Sequence, residues 1–332
     1  MRGCGGEADG IKWPNDMENP IKKPSSIQMA LLADLAGVGV LMFCICLQVF
    51  LLAREQKSLR LQASEESGAA GDLPWAAIQA EFFSPEAKTT ESTYTGPTVA
   101  ITVRSFSRDL DNKHALTYHV ADIRVADVRC IRTALAHDTF GIGIQEPILD
   151  MMERTGALLA MNGDYYSYQN GGLVIRNGEV FRSEPTDADI CVLFLDGRME
   201  TFPGDYNLSE LIRRGAWQAW TFGPSLLDEH GRAVRPAKKD KYLRLHHPRS
   251  AIGYISPGHY CFVVCDGRQP GYSNGARPIT LALLMEGLGC RVAYNLDGGN
   301  SSMLAFLKRI WNRPSGDGRE ISDCVLVKEF TP

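Results

Sequence analysis

The 332-residue sequence lacks a basic cluster dense enough to suggest a nucleic-acid footprint, and its formal net charge is only −4. A nucleic-acid partner needs a positive stripe or patch to meet its phosphates, so none is expected here. Nine cysteines are present, yet no CxxC pair and no zinc-like spacing occurs among them, which leaves no metal-finger reading. Charge is equally scarce in one place. From Leu35 to Ala53 the chain reads LAGVGVLMFCICLQVFLLA, with Gln48 its one strongly polar side chain.

That stretch matches the roughly 20 apolar residues a helix needs to cross a bilayer. It has no polar face, as a helix packed on a soluble core would, and it is longer than the apolar part of a cleaved leader. The expectation is a cytoplasmic tail over 1–26 and a transmembrane anchor over 27–53. Basic residues flank the span almost evenly. The short tail before it and the long domain after it place the N-terminus inside and the C-terminal domain in the extracytoplasmic space, with the lipid bilayer as a partner of the N-terminal helix. Residues 54–96, with EESGAAGD at 65–72, read as a linker or stalk.

What remains, 97–332, is rich enough in apolar residues to bury a sizeable core, since 44% of the chain is hydrophobic and 22% charged. TVAITVRSF and LTYHVADIRV read as strands, EPILDMMERTG as a helix closed by Gly156, and Asn177-Gly178 and Asp196-Gly197 as hairpin turns. NLSELIRRG is a short helix capped by Asn207. Near the end come the strands SAIGYIS and HYCFVVCDGR, the apolar helix ITLALLMEGLG and the strand RVAYNLD. Strand, helix, strand is a crossover unit that tends to set its two strands parallel and adjacent. The fold class expected is therefore α+β (mixed α/β): a mixed β-sheet domain with a C-terminal β-α-β crossover unit, preceded by a single transmembrane helix.

Six cysteines fall in this domain: Cys130, Cys191, Cys261, Cys265, Cys290 and Cys324. An even number permits disulfides, but the sequence selects no pairing, and the apolar neighbours suit buried free thiols equally well. Cys261 and Cys265 are too far apart along one extended strand to pair with each other.

Ligands of such crossover units sit beyond the carboxyl ends of the strands. Those ends carry Asp266-Gly267-Arg268 and Asn295-Leu-Asp297-Gly298-Gly299-Asn-Ser301-Ser302. An acid at a strand tip, with glycines and small hydroxyls beside it, lets a ligand approach the backbone closely. The plainer reading is a turn capped by Asp297.

The motifs MNGDYY (161–166), TFGPSLL (221–227), HPRSAIG (247–253), CDGR (265–268) and NLDGGNSS (295–302) occur in that order. Together they resemble the phosphodiester glycosidase family over about residues 97–330. The chain departs from the family pattern at Asn300, where a third glycine is usual, and in the loop PGYSNGARPIT.

The resemblance implies hydrolysis of a sugar-1-phosphate diester at the anomeric carbon, with an N-acetylhexosamine-type sugar, in cell-envelope or exopolysaccharide metabolism. Such chemistry asks for a carboxylate acting as nucleophile or as base for water, and for cations to hold the diester. Asp297 is the first candidate for the carboxylate, with Asp266 and Asp164 as partners. Arg249 and Arg268 suit the phosphate, because a guanidinium offers a planar pair of donors. Asn162, Asn295, Ser301 and Ser302 suit sugar hydroxyls, and Gly163, Gly298 and Gly299 leave room for them. As oxygen ligands the three aspartates also suit a calcium or magnesium ion. Each residue has a duller role open to it: Asp164 as a turn acid, Arg249 as a surface ion-pair partner, His246 and His247 as loop residues. The rival function is a non-catalytic envelope module that binds phosphorylated glycans during polysaccharide assembly.

Overall fold

The computed structural model describes residues 81–111, 114–235 and 245–330, all within one compact unit, Pro74–Pro332. The tail, the expected anchor and most of the stalk lie outside the described residues. Among the described residues no helix is long and apolar enough to cross a membrane.

Three antiparallel sheets build the domain. The first runs, in spatial order, β1 (Lys88–Thr89), β2 (Thr93–Thr95), β3 (Val99–Asp111), β4 (His114–Val125), β13 (His259–Cys265), β12 (Arg249–Ser256) and β14 (Val292–Leu296). The second is β10 (Met199–Phe202), β9 (Ile190–Phe194), β11 (Ala216–Thr221), β7 (Gly172–Arg176) and β8 (Glu179–Glu184). The third is β16 (Arg309–Ile310), β15 (Leu304–Phe306), β6 (Leu159–Asn162), β17 (Asp323–Val327) and β5 (Ile131–Leu135). Residues 88–95, which the sequence reading put in the stalk, thus extend the first sheet, with Tyr94 paired to Ile101.

Strand alternation explains how the sheets stack. On β13, Tyr260, Phe262 and Val264 point into a central core, whereas Cys261, Val263 and Cys265 point the other way. β17 sends Val325 and Val327 into that same core and Cys324 and Leu326 outward; β9 sends Cys191 and Leu193 inward and Ile190, Val192 and Phe194 outward. All three sheets therefore share one core. Each outer face carries its own helix: α1 (Ile148–Thr155) on the third sheet, α2 (Leu208–Arg213) on the second and α3 (Pro278–Gly287) on the first. Strands covered on both faces read as unbroken apolar runs such as ICVLF.

The local signals hold. Asn207 accepts the Glu210 N–H at 3.1 Å as the cap of α2. Gly156 closes α1 in the left-handed region, as does Gly289 just beyond α3.

The crossover unit differs from expectation in one respect. β13 and β14 are both antiparallel to β12, and so parallel to each other, but β12 lies between them. The reason is that both edges of β13 are taken, one by β12 and one by β4. After α3 the chain pairs with the free edge of β12 instead. Arg249, at the start of β12, consequently sits between the two strand ends, opposite Cys265, with Ser250 opposite Leu296.

Candidate active site

The ends of the three sheets meet at Asp297. Its backbone N–H donates to the Gly163 carbonyl at 3.2 Å, at the tip of β6. The Asn162 side-chain amide donates to the Asp297 carbonyl at 2.8 Å, while its oxygen accepts from Ser250 Oγ at 2.7 Å and from the Met303 N–H at 3.3 Å. From the second sheet, the Gly223 N–H donates to the Asn295 carbonyl at 3.2 Å. Asn162 thus fastens the loops of two sheets together.

Asp297 itself is mostly enclosed, its side chain 14% exposed. Oδ1 accepts the Gly298 N–H at 2.8 Å, and Oδ2 accepts from Arg319 Nη2 at 3.0 Å. Arg319 Nε donates to Ser301 Oγ at 2.6 Å. Burial pushes the Asp297 carboxyl above its ordinary value, opposed by Ser301, Arg319 and the Gly298 N–H. An acid held this way is a carboxylate with access to a cleft and a tunable proton affinity.

The glycines are required by close approach. A Cβ on Gly298 would lie 2.8 Å from the Pro248 carbonyl oxygen, which is backbone and fixed. Gly299, at φ +68°, lies under the Arg268 guanidinium, which would be 3.2 Å from an added Cβ. Arg268 in turn donates to Asn300 Oδ1 at 3.0 Å and is exposed. Asn300, the departure from the family pattern, therefore steers an arginine at the rim.

Asp164 and Asp266 are not in the cleft with Asp297. Asp164 is fully buried, paired to Arg176 at 2.8 Å and accepting the Thr221 N–H at 2.8 Å. Arg176 also pairs with Asp323 at 2.9 Å and donates to the Ala219 carbonyl. Two carboxylates thus share one guanidinium, and one of them, Asp323, also lines the cleft. Burial pushes Asp323 up to about 7, against the pull of Arg176. Asp323 packs so tightly on Gly163 that a Cβ there would sit 2.1 Å from its oxygen.

Asp266 accepts from His119 Nε2 at 2.9 Å, Tyr272 at 2.8 Å, the Asn312 amide at 2.8 Å and the Arg313 N–H at 3.1 Å. These contacts consume its lone pairs and anchor the 312–313 loop. The three aspartates proposed from sequence do not converge. Among the described residues, no group of three His, Cys, Asp or Glu side chains could hold a metal ion.

Arg249 is nearly buried and donates from Nε to the Ala276 carbonyl at 3.2 Å. The Asn295 amide nitrogen donates to the Gly223 carbonyl at 2.7 Å. Its oxygen, like the hydroxyl of buried Ser302, has no hydrogen-bond partner among the described residues. His246 stacks on His114 with ring centroids 4.4 Å apart. Burial first, then Arg249 and Arg268, holds His247 below the usual histidine value.

Asn162, Gly163, Asp297 and Ser301, all named from the sequence, line the cleft together with Tyr165, Arg319, Glu320 and Asp323, which were not. Tyr165 stacks on Tyr168 at 4.5 Å and lies 5.4 Å from the Arg319 guanidinium carbon. Arg319 stands in the loop RPSGDGRE, where an arginine beside glycines carries no periodicity or motif of its own.

Comparison with known proteins identifies the family. Residues 155–328 match the phosphodiester glycosidase family, a span of more than half the chain. The SPbeta prophage-derived uncharacterized protein YomE of Bacillus subtilis strain 168 is 30% identical over 197 residues, which is 57% of this chain and 30% of that protein. The chain therefore spans under a third of that relative's length. Among solved structures, the catalytic domain of zebrafish N-acetylglucosamine-1-phosphodiester α-N-acetylglucosaminidase, auto-inhibited by its pro-peptide, aligns at a TM-score of 0.58 and 17% identity. That alignment covers 74% of this chain and 88% of that one, and it shows a shared fold. On the strength of the family match, with the NLDGGNSS strand tip seated in a cleft, this chain belongs to the phosphodiester glycosidase family.

Proposed function

We propose that the chain is a hydrolase that cleaves the bond between C1 of an N-acetylhexosamine and the oxygen of its 1-phosphodiester. The C1–O bond breaks, the phosphate monoester leaves with the electron pair, and water supplies the hydroxyl that ends on C1. A phosphate monoester is a good leaving group, so the heavier demands are a carboxylate at C1 and cations for the diester. Asp297 supplies the first, as nucleophile or as the base that takes the proton from water. The observation that carries this reading is its position: a strand-tip carboxylate open to a cleft, with Arg319 on one oxygen and the Arg268 guanidinium over the adjacent Gly299.

Arg268 is an exposed cation suited to a phosphate oxygen, and Arg249 sits at the start of β12, between the two strand ends. Asp164 and Asp266 act beneath, holding the loops that position Asp297, and Asp323 does so from the wall of the cleft. The activity for which the zebrafish enzyme is named supports the choice of an N-acetylhexosamine substrate. Anchoring through residues 27–53 with the catalytic domain outside the membrane would direct the enzyme to envelope or exopolysaccharide phosphoglycans.

The test is incubation of the full chain with an N-acetylglucosamine-1-phosphodiester in ¹⁸O-labelled water. The proposal requires free sugar and a phosphate monoester, with the label on the sugar hydroxyl. Label on the phosphate would mean P–O cleavage and a different enzyme. Binding without release would point to the glycan-holding module instead.

A further inference from the structure

Cys261 lies on β13, on the face turned toward α3, and Cys290 follows α3 at the entry to β14. Their sulfurs are 3.5 Å apart, and the residues are only 2% and 4% exposed. Gly253 on β12 stands directly opposite Cys261. A Cβ at Gly253 would lie 2.7 Å from both sulfurs, so the missing side chain is what lets the two thiols meet. The pair is separated by 29 residues, and the enclosed segment holds Asp266, Arg268 and the whole of α3. The strand that begins just after Cys290 ends at Leu296, immediately before Asp297.

We propose that Cys261 and Cys290 are joined as a disulfide in the mature protein, tying the C-terminal end of α3 to β13 and so bracing the strand tips that carry the site. Bond formation draws the sulfurs from contact at 3.5 Å to about 2.05 Å. In the reaction two S–H bonds break and one S–S bond forms. The two electrons and, by way of solvent, the two protons pass to the disulfide of a small-molecule or protein oxidant, which becomes two thiols, by exchange through a mixed disulfide.

Timing follows from burial. The hydrogen bond with Cys290, with burial second, holds the Cys261 thiol well above its usual value. The attacking thiolate is therefore scarce once the domain is folded, and exchange precedes packing of α3 on the sheet. The same packing then shields the bond from reductant. Cys130 is engaged elsewhere, its sulfur 3.7 Å from the Thr98 carbonyl.

The test uses the full chain, unfolded, reduced, and refolded in a glutathione redox buffer. Free thiols are then blocked with an alkylating agent under denaturing conditions, and the protein is mapped by peptide mass. The expected result is one linked peptide pair joining Cys261 to Cys290, with Cys130, Cys191, Cys265 and Cys324 alkylated. Reductant should cleave the link readily in denaturant and slowly in the folded protein. Thermal unfolding of the linked form should exceed that of the same chain refolded under reductant by on the order of 5–10 °C. In Cys261→Ser and Cys290→Ser the linked pair and the reductant effect should both vanish. Alkylation of both Cys261 and Cys290 after oxidative refolding, or a link joining either to another cysteine, overturns the proposal. Both results come from the wild-type chain, so they stand even if a variant fails to fold.

Discussion

Asp297 and Arg319 are 22 residues apart in sequence and 3.0 Å apart at Oδ2 and Nη2. The contact joins the tip of β14 to a loop that precedes β17, so two sheets contribute one charged pair to the cleft. Burial raises the proton affinity of the carboxyl and Arg319 lowers it. The balance between the two sets the pH range in which Asp297 is ionised and able to act.

That balance predicts a shifted pH profile. Since the folded value lies above that of an ordinary aspartate, activity should decline on acidification before a normal carboxylate would titrate. Arg319→Gln should move the acid limb of kcat/KM to still higher pH, because the cation that favours the charged form is gone. An unmoved limb would remove Arg319 from this role.

Arg268 should act on the phosphate and not on the sugar. Arg268→Ala is expected to weaken binding of a diester by roughly 10–100-fold, the range for a lost hydrogen bond to a charged group. Inhibition by the free neutral sugar should change little. Competition experiments with both ligands check this, and equal loss for the two would contradict it.

Gly298 is predicted to tolerate no side chain. In Gly298→Ala the new Cβ would meet the Pro248 carbonyl oxygen at 2.8 Å, and backbone has little room to move. Turnover should fall by at least about 10-fold, because displacement of the strand tip misplaces the Asp297 carboxylate. Steady-state kinetics at saturating substrate would detect it.

The buried Asp164–Arg176–Asp323 cluster predicts both a stability loss and a pH effect. Arg176→Met should cost about 3–5 kcal/mol, since two buried carboxylates lose their shared cation. Asp323 has a folded value, about 7, above its unfolded one. Its contribution to stability is fully present below the unfolded value of about 4 and disappears as pH rises through about 7. Wild-type stability should therefore carry a component that falls across that window, by at most about 1.4 kcal/mol per pH unit. Denaturant titrations of Asp323→Asn should show that component removed.

Much of this was legible in the sequence. Period and punctuation marked α1, α2 and α3 and the hairpin at Asn177-Gly178, because those signals are local: Asn177 and Gly178 both adopt positive φ there. The motif order marked Asp297 and its glycines correctly as a strand tip. What could not be read were choices made between distant segments. β12, not β13, pairs with β14, since β4 had already occupied the second edge of β13. Three acids with similar local sequences, each at a strand end, have different fates. Asp266 is bound by His119, Tyr272 and Asn312, Asp164 by Arg176, and Asp297 opens to the cleft. Nothing in NGDYY or CDGR reveals which partners another sheet will supply. Arg319 was invisible for the same reason, a loop residue whose only distinction is where its loop comes to lie.

The most direct measurement compares sugar release from an N-acetylglucosamine-1-phosphodiester by the wild-type chain and Asp297→Asn, with thermal unfolding followed in parallel. Asparagine keeps an oxygen for the Gly298 N–H but cannot act as a carboxylate. The account predicts turnover reduced by roughly 10²–10⁴-fold, the usual effect of a lost catalytic acid or base, with the unfolding midpoint within a few degrees of wild type. Retained turnover, or a variant that collapses before it can be assayed, would contradict it and make Asp297 a structural turn acid.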